Sequence, residues 1–224
     1  MKYLVVDVAT APVTNVTDYV SRDQFDAPSN YVDPVKIERA INDAYAKGIE
    51  MAGVDVDLAQ ISGIGFQWSD EYHSAPMVLT ARPVDGAETP EMRETWMIAA
   101  LADAMRRLPD YFLCTFNGLA FDLPLLERRA LYLGVPFPRL NLDRYRTPHK
   151  DMLEELTYRG RLKSRSLAWY AKRHGWTDIA KPLTGEQESK VFETGQWDEL
   201  VQSITHDVTA TLRLAKWWGI GVSR

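Results

Sequence analysis

Asp7, Asp122 and Asp207 each lie beside a hydrophobic run, in YLVVDVATAP, FNGLAFDLPLL and ITHDVTATL. A carboxylate at the end of a buried strand, or on the core-facing side of a helix, is costly to desolvate unless something positive neutralises it, and a divalent metal is a common answer. Hydrolysis of a phosphodiester needs activated water, neutralised charge on the pentacoordinate transition state and a stabilised leaving oxygen. Two divalent ions about 4 Å apart provide all three, and Mg²⁺ and Mn²⁺ prefer carboxylate oxygens as ligands. Such a site draws its carboxylates from several elements converging on one sheet edge. Two residues after Asp7, where a fourth carboxylate would complete it, stands Ala9. Each aspartate also has a structural explanation: Asp7 as a strand-end residue, Asp122 as a helix N-cap before Leu-Pro, Asp207 as a polar residue on a helix whose face otherwise reads Leu200, Ile204, Val208, Thr211 and Ala215.

The elements that must position these residues are legible in outline. Tyr3 to Val8 is a continuous, β-branched run suited to a strand buried on both faces, with Thr10-Ala11-Pro12 expected to end it. Val13 to Asn30 turns polar and reads as a loop, after which Asp33-Pro34 opens a helix running to about Gly48 to Ala52. Gln60 to Trp68 and Pro76 to Arg82 read as a hairpin through SDEYHS. Thr89-Pro90-Glu91 starts a helix to Leu108, Tyr111 to Phe116 is a short strand, and a helix from Asp122 carries Leu125, Leu126, Arg129 and Leu133 before Gly134 stops it. Helices are predicted over Lys150 to Tyr158, Ser166 to His174, near Gly185 to Thr194, and from Gln196 to Trp218. Strands in the first half and helices in the second predict one α/β domain over residues 1–224, a mixed sheet covered by helices.

Composition narrows the function classes. The chain has 224 residues, 46% hydrophobic and 25% charged, ordinary for a globular protein with a full core. No apolar stretch approaches the length of a membrane span and the start lacks a signal-peptide pattern, so a cytoplasmic protein without membrane contact is expected. The single cysteine, Cys114 in YFLCTF, reads as a small core residue. A net charge of −5 is not the footprint of a protein that coats nucleic acid by bulk electrostatics. Any nucleic-acid contact must be local, and the patch Arg159, Arg161, Lys163 and Arg165 offers phosphate contacts or a solvated helix-end face. Asn117 is open to two readings, a turn residue in Asn-Gly or part of a cleft. His149 and Asp151 in PHKDML suggest no metal pair, and Asp151 reads as a helix cap or outer-shell residue. The seven tryptophans read as packing residues, with Phe66 or Trp68 the choice for base stacking if one stacks.

In order along the chain, DVATAP, FNGLAFDLP and HDVTAT resemble the three motifs of the DnaQ-like 3'-5' exonucleases of the ribonuclease H-like fold, specifically the predicted exonucleases related to the proofreading domain of family B DNA polymerases. The segments from DAPSNYVDPVKIERA to ISGIGF, RGRLKSRSLAWYAKRHGW and QWDELVQSITHDV extend the resemblance over nearly the whole chain. It implies an α/β ribonuclease H-like fold, a mixed β-sheet flanked by helices. It further implies release of nucleoside monophosphates from the 3' end of single-stranded DNA or RNA, using two divalent metal ions, Mg²⁺ or Mn²⁺, held by Asp7, Asp122 and Asp207. Thr10, Asn117, Phe121, Arg161, Lys163 and Arg165 become candidate substrate contacts.

Two departures stand out. The family generally has Glu where Ala9 stands, and its late motif carries a Tyr four residues before the Asp or a His five before, where this chain has Ser203 and Gln202. His206 is a possible displaced base, but it lies roughly 100° around a helix from Asp207, which favours an outer role. Ala9 has two explanations: an introduced alanine in place of a natural glutamate, or natural decay to a catalytically inactive module that binds nucleic acid or protein. Either way, an enzyme lacking this carboxylate is expected to be impaired. A third reading is hydrolysis of small nucleotides with little dependence on the Arg161, Lys163 and Arg165 patch.

Overall fold

The computed structural model describes residues 2–70, 75–85, 88–143, 145–179 and 183–220. One five-stranded sheet has the order β3-β2-β1-β4-β5, built from β1 (Lys2–Pro12), β2 (Ala59–Trp68), β3 (Met77–Thr80), β4 (Tyr111–Thr115) and β5 (Lys150–Asp151). β1 pairs antiparallel with β2 and parallel with β4; β2 and β3 are antiparallel, β4 and β5 parallel. The sheet is therefore mixed. β2 and β3 are the antiparallel neighbours that the hairpin pattern predicts, and residues 71–74 of the expected turn lie outside the described residues.

Central β1 is buried on both faces because its residues alternate into two cores. Leu4, Val6 and Val8 pack with Met97, Ile98 and Leu101 of α2 (Pro90–Arg107) and with Leu123, Leu125 and Leu126 of α3 (Asp122–Tyr132). Tyr3, Val5 and Ala9 face the other way, into a core with Leu200, Ile204 and Val208 of the long C-terminal helix Trp197–Trp217 and Val191 of the helix Gly185–Glu193 before it. Cys114 is buried in this second core, and burial pushes its thiol up to about 12, consistent with an inert packing residue. The remaining helices are α1 (Pro34–Met51), α4 (Met152–Leu156) and α5 (Leu167–Arg173), which makes the last two α6 and α7. Among the described residues no helix is long and apolar enough to cross a membrane.

Local chemistry starts the helices where the sequence predicts. Asp33 accepts the Val35 N–H, Thr89 that of Met92 and Ser166 that of Trp169, while Thr184 and Gln187 form a reciprocal capping box. A buried ion pair fastens α2 to α3: Arg129 donates Nε–H and Nη2–H to Glu94 at 2.7 and 2.6 Å, and Glu94 also accepts the Ile61 N–H of β2 at 2.8 Å.

Three expectations need correction. β1 does not end at Thr10-Ala11-Pro12; it continues because β2 offers Ile61, Gln60 and Ala59 as partners, after a register shift beyond the Ala9 pair that leaves Ser62 as the extra residue. Lys150 and Asp151 form an edge strand rather than a first helical turn, since Asp151 is extended and caps α4 from outside. The tryptophans are less buried than expected, with Trp96, Trp169, Trp217 and Trp218 exposed, whereas Phe66 is core and unavailable for base stacking.

Candidate active site

Asp7 and Ala9 point to the α7 side of β1, and β2 presents Gly65 and Gly63 as their partners. A Cβ on Gly65 would lie 2.3 Å from Ile204 Cγ2 and 2.7 Å from Val208 Cγ2; one on Gly63 would lie 2.4 Å from Ile204 Cδ1. The two glycines let α7 settle directly onto the sheet. That contact sets Asp207, between Ile204 and Val208 in sequence and only 7% exposed, into the interior beside β1.

Asp122 arrives from the opposite layer. β1 pairs with β4 only through Lys2 to Val5, so beyond that point the β4 side of β1 needs other partners. Asp122 Oδ1 accepts the Val8 N–H at 3.0 Å. The N-cap position of α3 belongs to Phe121, whose side chain makes no capping bond, so the capping explanation of Asp122 does not hold. Burial pushes the Asp122 carboxyl up from 3.8 to about 7; the Val8 N–H opposes this, and the charges of Asp151 and Asp207 add to it. Two of the three candidate aspartates thus sense each other, and the third precedes the residue that Asp122 holds.

Asp151 is a buried anchor of the candidate site that the sequence reveals only in part. Its cap on α4 was anticipated; its grip on the approach to Asp122 was not. It is 2% exposed. Oδ1 accepts the N–H groups of Asn117 and Leu153 at 2.9 Å and of Glu154 at 3.4 Å, and Oδ2 accepts that of Leu119 at 3.0 Å. Asn117 has φ +67, a left-handed turn that Asn tolerates, and a Cβ on Gly118 would lie 2.5 Å from Thr115 Cβ. The turn reading of Asn117 is therefore what its backbone adopts, and Asp151 holds that turn as it leads into α3.

A cleft of about 450 Å³ opens beside Asp151 and Leu119, lined by Tyr145, His149, Tyr158, Arg159, Arg161 and Trp218 among others. Tyr158, Arg159 and Gly160 have φ of +51, +60 and +82 in succession. Such backbone is strained for Tyr and Arg. It is held by the buried Thr157, whose carbonyl and hydroxyl accept the Leu162 and Gly160 N–H groups. Arg161 reaches the cleft; Lys163 and Arg165 are exposed outside its lining, with Arg165 over Trp169 at 5.3 Å. Thr10 donates its hydroxyl to Gly53 O at 2.6 Å and lines a separate groove between α1 and α6. Phe121 is half-buried against the α2/α3 core. His206 is half-buried with a buried Nδ1 that has no hydrogen-bond partner.

Glu188 of α6 escaped sequence reasoning altogether. It is 7% exposed and accepts the Ser203 hydroxyl at 2.6 Å. Its only signal was a Glu three residues before Val191 on an amphipathic helix.

The donors around β1 are all carboxylates, which suits a hard divalent cation in kind. Among the described residues, however, no three His, Cys, Asp or Glu side chains stand close enough together to hold an ion. The carboxylates surround a common end of β1 without closing on one point.

Residues 69–215 match the family described as predicted 3'-5' exonucleases related to the exonuclease domain of PolB. The chain belongs to this family. For this exonuclease-family chain the match takes in Asp122, Asp151, Glu188 and Asp207 and begins after β1, so Asp7 and Ala9 lie outside it. No curated protein sequence matches it. In structure it is similar to the family B DNA polymerase of the hyperthermophilic archaeon Pyrobaculum calidifontis, with TM-score 0.58 and 16% identity over 97% of this chain and 24% of the polymerase. It is also similar to E. coli Exonuclease I in complex with a dT13 oligonucleotide, with TM-score 0.42 and 14% identity over 98% of this chain and 41% of that one. The exonuclease-family chain therefore spans about a quarter of the polymerase. The fold is the expected ribonuclease H-like α/β type, a mixed sheet flanked by helices.

Proposed function

We propose that the chain is a metal-dependent 3'-5' exonuclease acting on single-stranded ends, with Asp7, Asp122 and Asp207 holding two divalent ions, Mg²⁺ or Mn²⁺, and with turnover limited by Ala9. The observation that carries this reading is the Asp122 carboxylate bonded to Val8, beside Asp7 and within reach of the Asp207 charge. Bound divalent ions would supply charge neutralisation and an activated water. The protein's own part is to fix the carboxylates. The Val8 N–H orients Asp122, Asp151 fixes the turn before it, and Gly63 and Gly65 let α7 bring Asp207 down. Arg159 and Arg161 are suited to backbone phosphates, and Tyr145, Tyr158 and Trp218 to unstacked bases, so the cleft is a path for a single strand running from the site. The DNA or RNA 3' end is the substrate in this reading, and the cytoplasm its place of action.

The test is Ala9→Glu assayed on a 3'-labelled single-stranded oligonucleotide with Mg²⁺ or Mn²⁺. A gain of about 10- to 100-fold over the alanine form is expected. The buried Ala9, 2% exposed, also favours a second reading, a catalytically inactive module that binds nucleic acid or a protein. That reading predicts strand binding or complex formation with no turnover from Ala9→Glu.

A further inference from the structure

We infer that the C-terminal end of α7 and the segment after α5 form a stacking surface for single-stranded nucleic acid beyond the cleft, which makes affinity depend on strand length. The inference rests on the strand path through the cleft proposed above and extends it to Trp217, His174 and Trp176. Trp218 lines the cleft, and its ring centre lies 6.3 Å from that of Trp217, with 34° between the planes. Trp217 meets His174 at 4.3 Å, and His174 stacks on Trp176 at 4.7 Å with 18° between the planes. The four rings run without a break from the cleft wall across the surface. Trp217 is 61% exposed, at the end of a helix whose Leu200, Ile204, Val208 and Leu214 are fully buried. Clustered exposure of large rings on a folded protein marks an interaction surface.

Spacing along α7 ties this surface to the candidate site. Asp207, Thr211, Leu214 and Trp218 recur at i, i+4, i+7 and i+11, so they share one face of the helix. At 1.5 Å per residue, Trp218 lies about 16 Å along the axis from Asp207. That span takes about five nucleotides at the 3.4 Å rise of a stacked strand. The charges favour a nucleic acid over an apolar protein as occupant. Arg213 lies over Trp176 at 5.2 Å while donating to Asp178 at 2.9 Å, and in the cleft Arg159 lies over Tyr145 at 5.2 Å. Lys172 and Arg173 end α5 just before His174, and Lys216 precedes Trp217. In a chain of net charge −5, cations here alternate with flat rings, which matches a strand that alternates phosphates with bases. Stacking is tolerant of base identity because every base has a π-face, so DNA and RNA strands both fit.

Fluorescence anisotropy with 5'-labelled, phosphorothioate-linked dT15 and dT5 in Mg²⁺ tests this on the wild type, Trp217→Ala, Trp217→Phe and Arg161→Ala, with sedimentation velocity as a second measurement. Trp217→Ala should weaken dT15 binding about tenfold, the effect of one lost stacked base. It should weaken dT5 binding far less, since that strand ends near Trp218. Trp217→Phe keeps a ring and should retain most of the dT15 affinity. Equal losses on dT15 and dT5 would overturn the stacking surface. No loss on dT15, while Arg161→Ala weakens both, would overturn it and leave the cleft path standing. A shift of Trp217→Ala to a smaller species with dT15 affinity unchanged would assign the rings to self-association and overturn the inference. No binding of either oligonucleotide by the wild type would overturn the strand path and this inference with it.

Discussion

Asp122 Oδ1 accepts the Val8 N–H at 3.0 Å, joining the first turn of α3 to β1 where β1 has outrun its pairing with β4. This bond ties Asp122 to the residue that follows Asp7, across 114 residues of sequence. It also gives a strand-edge N–H a partner that a neighbouring strand does not supply.

The environment of Asp122 gives its stability contribution a sign. With the carboxyl raised by burial to about 7 in the folded chain, against 3.8 unfolded, the folded state holds a proton that the unfolded state has lost between those values. The stabilisation is present at the acid end and is lost as pH rises through about 7, up to about 4 kcal/mol over the window. In EDTA, Asp122→Asn should therefore gain stability relative to the wild type as pH rises from 5 to 8. Denaturant unfolding at each pH measures this, and parallel curves for the two proteins would contradict it.

Asp151 is the single acceptor for four backbone N–H groups. Asp151→Ala should lower stability by about 2–4 kcal/mol, because those donors lose a charged partner in a buried place. Asp151→Asn keeps the Oδ1 bonds but turns an NH₂ toward the Leu119 N–H, so its loss should be smaller and concentrated in the turn before α3. Hydrogen exchange at Asn117 and Leu119 should accelerate in both variants, and unchanged protection would show that the turn does not need Asp151.

The Arg129–Glu94 pair predicts an asymmetry. Removing one partner, as in Arg129→Met, leaves Glu94 buried with only the Ile61 N–H among its described bonds and should cost about 3–5 kcal/mol. Replacing both with apolar residues, in Arg129→Met/Glu94→Leu, should cost less than the single change. Urea unfolding of the two proteins decides it; equal or greater loss in the double variant would argue that the pair is net stabilising.

What the sequence by itself determined was whatever depends on neighbours along the chain. The β-branched run Tyr3 to Val8 indicated a strand buried on both faces, Thr89-Pro90 and Asp33-Pro34 marked helix starts, and the Leu200, Ile204, Val208 spacing gave the buried face of α7 with Asp207 upon it. These follow from side-chain period and capping, which are local. The order of the three aspartate motifs brought the family into view. Tertiary structure decided what local pattern cannot hold: that β1 runs on to Pro12 because β2 is there to pair with it, and that Asp122 bonds Val8 rather than capping its own helix. It also decided that Asp151 governs a turn more than thirty residues earlier, and that a glutamate on α6 meets Ser203 on α7. A carboxylate's role is set by the donors and charges that surround it. In this chain most of those come from elements that meet only when the sheet and its two helical layers have assembled.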